Sequence, residues 1–237
     1  MIKECIKKIP GTQFFWNNIR KIRFLFDFSD TENVFTKIYK SNSWKGVNSI
    51  SGPGSDNTQT EHITKVLPEL FCDLGIKSLL DIPCGDFNWM RNVDLSSIHY
   101  IGGDIVEEII AKNKEQFQNK DLQFEKLNLL IDNLPKVDMI MCRDCLVHFS
   151  YKDIFDALKN ICNSESTYFL STIFTNQKSN HNIVTGEWRP LNLTLPPFNL
   201  PLPLNCINEK CTEGNGLYSD KSLGLWKISD ISAALRA

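Results

Sequence analysis

Residues 79–89, LLDIPCGDFNW, constrain this chain more than any other stretch. An apolar run ends in a carboxylate, Asp81, and turns tightly through Pro83, Cys84 and Gly85. It then meets a second acid, Asp86, placed to cap a short helix through about Val93. A strand that empties into a tight turn and a helix is the opening unit of an α/β sheet. The same rhythm runs on both sides of it. Ile63, Val66, Leu67, Leu70, Phe71 and Leu74 recur at helical spacing before Gly75, and Pro68 is expected to kink or split that helix. Residues 99–105, 122–128, 137–143, 167–173 and 222–228 read as strands. Val106, Ile109, Ile110 and Phe117 mark the helix after the first of these. Ser150 with Asp153 forms an acidic capping pair ahead of a helix lined by Ile154, Leu158 and Ile161. Strands apolar on both faces mean a sheet buried on both faces. The expected fold is α/β: a doubly wound, mostly parallel, Rossmann-like sheet.

The ends of this pattern set the domain organisation. Residues 1–43 form an N-terminal arm, helical in expectation, whose start is basic (Lys3, Lys7, Lys8, Arg20, Lys21 and Arg23 against Glu4) and interleaved with Phe14, Phe15, Trp16, Phe24, Phe26 and Phe28. Such an arm packs on its own domain, on a second copy in a homo-oligomer, or on a membrane surface. Residues 44–237 read as a single domain. Within it, residues 186–204 carry five of the ten prolines, so they are neither helix nor central strand. Trp188, Phe198 and six leucines in the same stretch call for burial, which makes it an ordered loop. Residues 190–203 are expected to wall a site at the carboxyl ends of the strands.

Composition excludes several classes. A net charge of −2 leaves no basic surplus for general nucleic-acid binding. No apolar run approaches the roughly 18 residues of a membrane span, and no leader is apparent at the start. Eight cysteines, several inside apolar runs, fit a reduced, cytoplasmic chain and no disulfide scaffold. Cys142 and Cys145 have ligand spacing, and Cys206 with Cys211 offer a second pair. That pair is spaced wrongly for a compact knuckle, so no metal is expected.

Asp104 stands 23 residues after Asp81, where a nucleotide fold places the acid that grips ribose hydroxyls. A dinucleotide needs a fuller glycine loop than Gly85 alone provides, and Asp86 would repel its pyrophosphate. An acidic crevice suits a cation-bearing nucleoside such as S-adenosylmethionine. The segments LLDIPCGDFNW, YIGGDI and VDMIMCRDCLVHFS resemble the first, second and fourth motifs of class I S-adenosylmethionine-dependent methyltransferases, with Pro83 where the first glycine of the family motif would stand. More narrowly, SISGPGS, CRDCLVHFS, TGEWRPLNL and DKSLGLW resemble a bacterial subgroup found with capsule and surface-polysaccharide genes.

The resemblance spans residues 44–228 and implies a set of cofactor contacts. They are Ser51, Gly52, Gly54 and Ser55 for the methionyl carboxylate; Asp81, Cys84, Gly85, Asp86 and Trp89 at the first turn; and Asp104 on the ribose. Asn128 would face the adenine amine or serve as a turn residue, and Ile105 and Leu129 would sandwich the ring. Arg143 holds an anionic group or pairs with Asp144. His148 is the expected general base, with Asp144 orienting it, binding substrate or acting as base itself. Trp188 and Arg189 suit a sugar ring and a phosphate. The implied activity is O-methylation of a carbohydrate or nucleotide-sugar hydroxyl, releasing S-adenosylhomocysteine. Other readings are a different small-metabolite acceptor (an amine, carboxylate or phosphorus oxyacid) and a catalytically silent cofactor-binding subunit.

Overall fold

A computed structural model describes residues 31–236; the basic and aromatic start of the arm lies outside the described residues. Seven strands form one sheet: β1 Ser78–Asp81, β2 His99–Asp104, β3 Leu122–Lys126, β4 Met139–Cys142, β5 Tyr168–Phe174, β6 Asn205–Asn208 and β7 Lys221–Lys227. Their order is β3-β2-β1-β4-β5-β7-β6. The first five run parallel, while β7 is antiparallel to both β5 and β6. The helices are α1 Thr31–Lys40, α2 Asn57–Asp73, α3 Glu107–Phe117, α4 Tyr151–Asn163 and α5 Ile228–Ala234. The doubly wound, mostly parallel sheet expected from the sequence is the observed architecture.

Two-sided burial shows in the alternation along each strand. Leu79, Tyr100, Met139, Met141 and Leu170 face a core shared with Ile63, Leu67 and Phe71 of α2. Their neighbours Leu80, Ile101, Ile140, Cys142 and Phe169 face a core shared with Ile154, Leu158 and Ile161 of α4 and Ile231 of α5. Gly75, at φ 66, ends α2 by letting the Ile76 N–H reach back to the Phe71 carbonyl. Pro68 does not split α2, which runs as one element across it. On the opposite face Ser150 caps α4 as expected, its oxygen accepting from the Asp153 N–H at 3.2 Å.

Three local expectations are corrected. The helix from Asp86 is absent; the chain makes turns and one 3-10 turn, Met90–Asn92. Asp86 spends its carboxylate on Ser49 and Ile50, and Phe87 sits at φ 56, outside the right-handed helical region. Strand β6 follows the proline-rich stretch unannounced, because a short edge strand needs no apolar pattern. Residues 190–203 do not wall the site. They start at the carboxyl edge of the sheet, where the Phe174 N–H donates to the Leu191 carbonyl. They then cross the α4 face, with Phe198 edge-on to Tyr151 at 5.2 Å. At the far edge the Trp226 ring N–H donates to Pro201. Their buried Leu191, Leu193, Phe198 and Leu200 cover a core, which explains the leucines.

The reverse direction of β7 matters for chemistry. Because Lys221 pairs with Phe174, the first residue of β7 arrives at the carboxyl edge of the parallel strands. Glu209, just after β6, joins it there by a backbone bond of 2.9 Å to the Lys221 carbonyl.

Candidate active site

The carboxyl ends of the strands open into an inner cavity. Of the residues expected to hold a cofactor, Ser51, Ser55, Asp81, Cys84, Gly85, Asp86, Trp89, Asp104, Ile105, Asn128, Leu129 and Arg143 line it. Gly52 and Gly54 instead line an adjoining outer cavity, together with Trp188. His148 and Asp144 line both.

The first turn is locked by backbone donors. Asp104 accepts from the Gly85 N–H at 3.1 Å and the Val106 N–H at 2.9 Å, and these bonds leave acceptor capacity on the carboxylate. A side chain at Gly85 would put its Cβ 2.1 Å from the Ser51 Oγ, and the residue sits at φ 54, so only glycine fits. Burial pushes the Asp81 carboxyl up to about 7, partly offset by a 2.7 Å bond from the Tyr100 hydroxyl. Burial likewise raises Asp104 to about 6 against its backbone donors. Asp86 ties the 49–51 loop to this turn, accepting from the Ser49 hydroxyl at 2.9 Å and the Ile50 N–H at 3.0 Å. Asn128 plays its turn role, with its side-chain oxygen accepting from the Leu130 N–H at 2.9 Å.

Between the cavities lies a buried ionic cluster. Arg143 donates twice to Glu209, at 3.1 and 2.7 Å, and once to the Gly54 carbonyl at 2.8 Å. Its guanidinium lies 5.2 Å from the Trp89 ring centre. Lys221 pairs with Asp144 at 2.6 Å and lies 3.6 Å from Glu209. Arg143 reaches Asp144 at 3.3 Å. The two cations hold the Asp144 carboxyl down at about 2 despite its burial, so Asp144 is an anion fixed by partners and a poor base. It also sits at φ 51, a left-handed conformation held by a 2.8 Å bond from its N–H to Thr172. No hydrogen bond joins it to His148, so it does not orient the ring as expected.

The backbone positions His148. Its Nδ1 lies 2.9 Å from the Glu187 carbonyl, which only accepts, so Nδ1 carries the proton and Nε2 keeps a lone pair. Burial lowers its pKa to about 4, which keeps the ring neutral at pH 7. Trp44 stacks on it at 4.8 Å. Arg189 does not reach a substrate: it is 1% exposed and donates to the carbonyls of Leu146, Val147, Phe149 and His181. A buried guanidinium with four of its five N–H donors on carbonyls fastens the His148 loop and is not presented to a substrate phosphate.

Sequence reasoning missed Glu209, Lys221, Glu213 and Trp44, which come from distant segments. The described end of the 1–43 arm packs on its own domain, one of the expected alternatives, and Thr31, Phe35 and Tyr39 of α1 line the inner cavity. Phe35 packs on Phe149 at 5.8 Å, and Lys40–Glu108 and Lys126–Glu32 pairs hold α1 on the body. The paired cysteines do not converge. Cys142, Ser171, Gly224 and Cys206 lie in one row across four strands, which separates Cys142 from Cys206 by about 14 Å. Among the described residues no helix is long and apolar enough to cross a membrane.

No protein-family model and no curated protein matches the sequence. Solved structures do match the fold. One is a Burkholderia thailandensis 1,6-didemethyltoxoflavin-N1-methyltransferase with bound 1,6-didemethyltoxoflavin and S-adenosylhomocysteine, at 14% identity and TM-score 0.61, covering 83% of this chain and 86% of that one. Another is human N-acetylserotonin methyltransferase in complex with S-adenosylmethionine, at 14% identity and TM-score 0.52, covering 86% and 61%. A third is an O-methyltransferase family protein from Burkholderia thailandensis, at 16% identity and TM-score 0.50, covering 71% and 55%. At these identities the likeness is one of fold.

Proposed function

We propose that this chain is an S-adenosylmethionine-dependent methyltransferase acting on a ring hydroxyl, most simply of a carbohydrate in surface-glycan synthesis. The observation that carries the reading is the junction of the two cavities. Trp44, Ser51, Asp144 and His148 line both, so a ligand in the inner cavity and one in the outer would meet beside the bare Nε2 of His148. The residues fit the cofactor. Asp104 sits at the turn with a carboxylate able to accept from ribose hydroxyls, Gly85 lets that turn close on the Ser51 hydroxyl, and the acidic crevice opposes a phosphate while favouring a cation. Structures of this fold holding S-adenosylmethionine or S-adenosylhomocysteine support the same choice. When bound, the cofactor supplies an electrophilic methyl group on a sulfonium.

The protein's own part is alignment and proton removal. His148, held by the Glu187 carbonyl, accepts the hydroxyl proton at Nε2 as the oxygen attacks. Asp144, locked as an anion, accepts hydrogen bonds from the acceptor. The carbohydrate assignment is supported by the resemblance of SISGPGS, CRDCLVHFS, TGEWRPLNL and DKSLGLW to the capsule-associated subgroup, and by Trp188 exposed in the outer cavity. Calorimetric titration tests the cofactor: S-adenosylhomocysteine should bind in the micromolar range and NAD should not. Binding of NAD, or of neither, would overturn the reading.

A further inference from the structure

The outer cavity sorts ligands by charge. Four aromatic rings line it: Trp44, Phe174, Trp188 and Tyr218. The last three pack nearly edge to face, Trp188 on Tyr218 at 5.0 Å and Phe174 on Trp188 at 6.0 Å, which leaves Trp188 41% exposed. Its charged groups are Asp144, Glu213 and Lys221, beside Ser51, the neutral His148 and the Tyr218 hydroxyl. Around a single point above Gly54, where a Cβ would stand, Asp144 Oδ2 lies at 3.1 Å, Glu213 Oε2 at 3.3 Å and Lys221 Nζ at 3.4 Å.

The two cations near this point are already matched. Arg143 and Lys221 face Asp144 and Glu209, two positive groups against two negative ones, all buried or nearly so. Arg189 is buried, with four of its five N–H donors on carbonyls, and does not line the cavity. Glu213 is left over. Among the described residues it has no ion pair, and its contact is a long one from the Cys211 thiol at 3.7 Å. A half-buried carboxylate in a cavity lined by aromatic rings, with no cation among the described residues within ion-pair distance, tips this cluster to three carboxylates against two cations and offers an acceptor for an ammonium group. The same set repels phosphate and carboxylate.

We propose that the outer cavity is the acceptor subsite and selects a ring bearing a protonated amine, held between Glu213 and the aromatic rings, while rejecting phosphorylated and carboxylated rings. The assignment as acceptor subsite rests on the methyltransferase reading; the charge preference rests on the cavity alone. It narrows the carbohydrate class to amine-bearing sugars and removes the nucleotide-sugar, whose phosphates would meet Glu213 and Asp144 while Lys221 is already held by Asp144 and Glu209.

Three probes of one shape separate the charges: cyclohexylammonium, cyclohexanol and cyclohexanecarboxylate. Their binding to the full chain saturated with S-adenosylhomocysteine is followed by ligand-observed NMR. Cyclohexylammonium should bind about tenfold more tightly than the carboxylate, with cyclohexanol between them. Glu213→Gln should erase that order, with an unchanged circular-dichroism spectrum showing that the variant folds. Equal or tighter binding of the carboxylate, no binding of any probe, or an unchanged order in Glu213→Gln would overturn the proposal. If S-adenosylhomocysteine fails to bind while the charge order stands, the methyltransferase reading falls and a cation-selective ring site remains.

Discussion

The two cavities are made in different ways. The inner one is built on consecutive strand ends, β1 and β2: Asp104 is held by the backbone N–H groups of Gly85 and Val106, and Asp81 by the Tyr100 hydroxyl. The outer one is assembled from residues near 44–54, 144–148, 174–188 and 213–221, drawn together by the sheet. Its charges are satisfied by other side chains rather than by backbone. A site built on local backbone geometry tolerates change around it and depends on a few carboxylates and a glycine. A site built on mutual side-chain pairing depends on every member of its network.

The largest effect should come from the cluster that joins the halves. Glu209 is 1% exposed and answers both Arg143 and Lys221, and its Oε1 has no partner. Glu209→Ala leaves two buried cations against Asp144 alone, and should lower stability by about 3–5 kcal/mol, read by urea unfolding. A loss below about 1 kcal/mol would show that the outer site does not rest on mutual pairing. Asp104→Ala comes next. Losing charge-assisted bonds to ribose should weaken S-adenosylhomocysteine binding by about 2–4 kcal/mol, with the preference among cyclohexyl probes unchanged. Unchanged affinity would remove the ribose assignment.

His148→Ala should act on turnover alone. A base with a pKa of about 4 is a weak one, so the expected loss lies at the low end for proton transfer, about 10²-fold, with cofactor affinity preserved. The position of the pH limb separates this from the sequence expectation. An ordinary histidine would give a limb near 6.5. Here the ring is neutral from about pH 4 upward, so turnover at saturating substrates should rise through about 4 and be flat at neutrality. A limb near 6.5 that vanishes in His148→Ala would mean the ring is less desolvated than its surroundings indicate.

The same contrast explains what the sequence could show. Asp81, Gly85 and Asp104 were legible because a strand end, a tight turn and a fixed offset are local facts written in consecutive letters. The parallel sheet was legible from strands apolar on both faces. Glu209, Lys221 and Glu213 were not, since nothing local marks a residue as the partner of Arg143 some 66 positions earlier. Arg189 misled for a related reason: a guanidinium beside Trp188 suits a phosphate in sequence, but the fold turns it onto four carbonyls. The proline-rich stretch was legible as an ordered loop and illegible in its direction, because both sheet edges offer apolar cover.

The smallest effect is a pH dependence of the inner site. Burial raises the Asp81 and Asp104 carboxyls to about 7 and about 6, so the cofactor-free crevice carries protons near neutrality. Acids raised above their unfolded values of roughly 4 bind more protons folded than unfolded between pH 4 and 7, so the free protein should lose stability as pH rises through that window. A cation entering the crevice favours the ionised carboxylates and expels those protons. Affinity for S-adenosylmethionine should therefore rise with pH, by roughly tenfold between pH 6 and 8, and level off above. S-adenosylhomocysteine, whose sulfur is neutral, should show a shallower slope, and titration at pH 6.5 in two buffers of different ionisation enthalpy should count protons released on binding. The outer site gives no such signal, because Asp144 is already ionised at any pH above about 2. Cofactor binding that releases no proton at pH 6.5 would mean that the crevice acids stay neutral beneath the ligand, and that ribose hydrogen bonding, rather than charge, holds the cofactor.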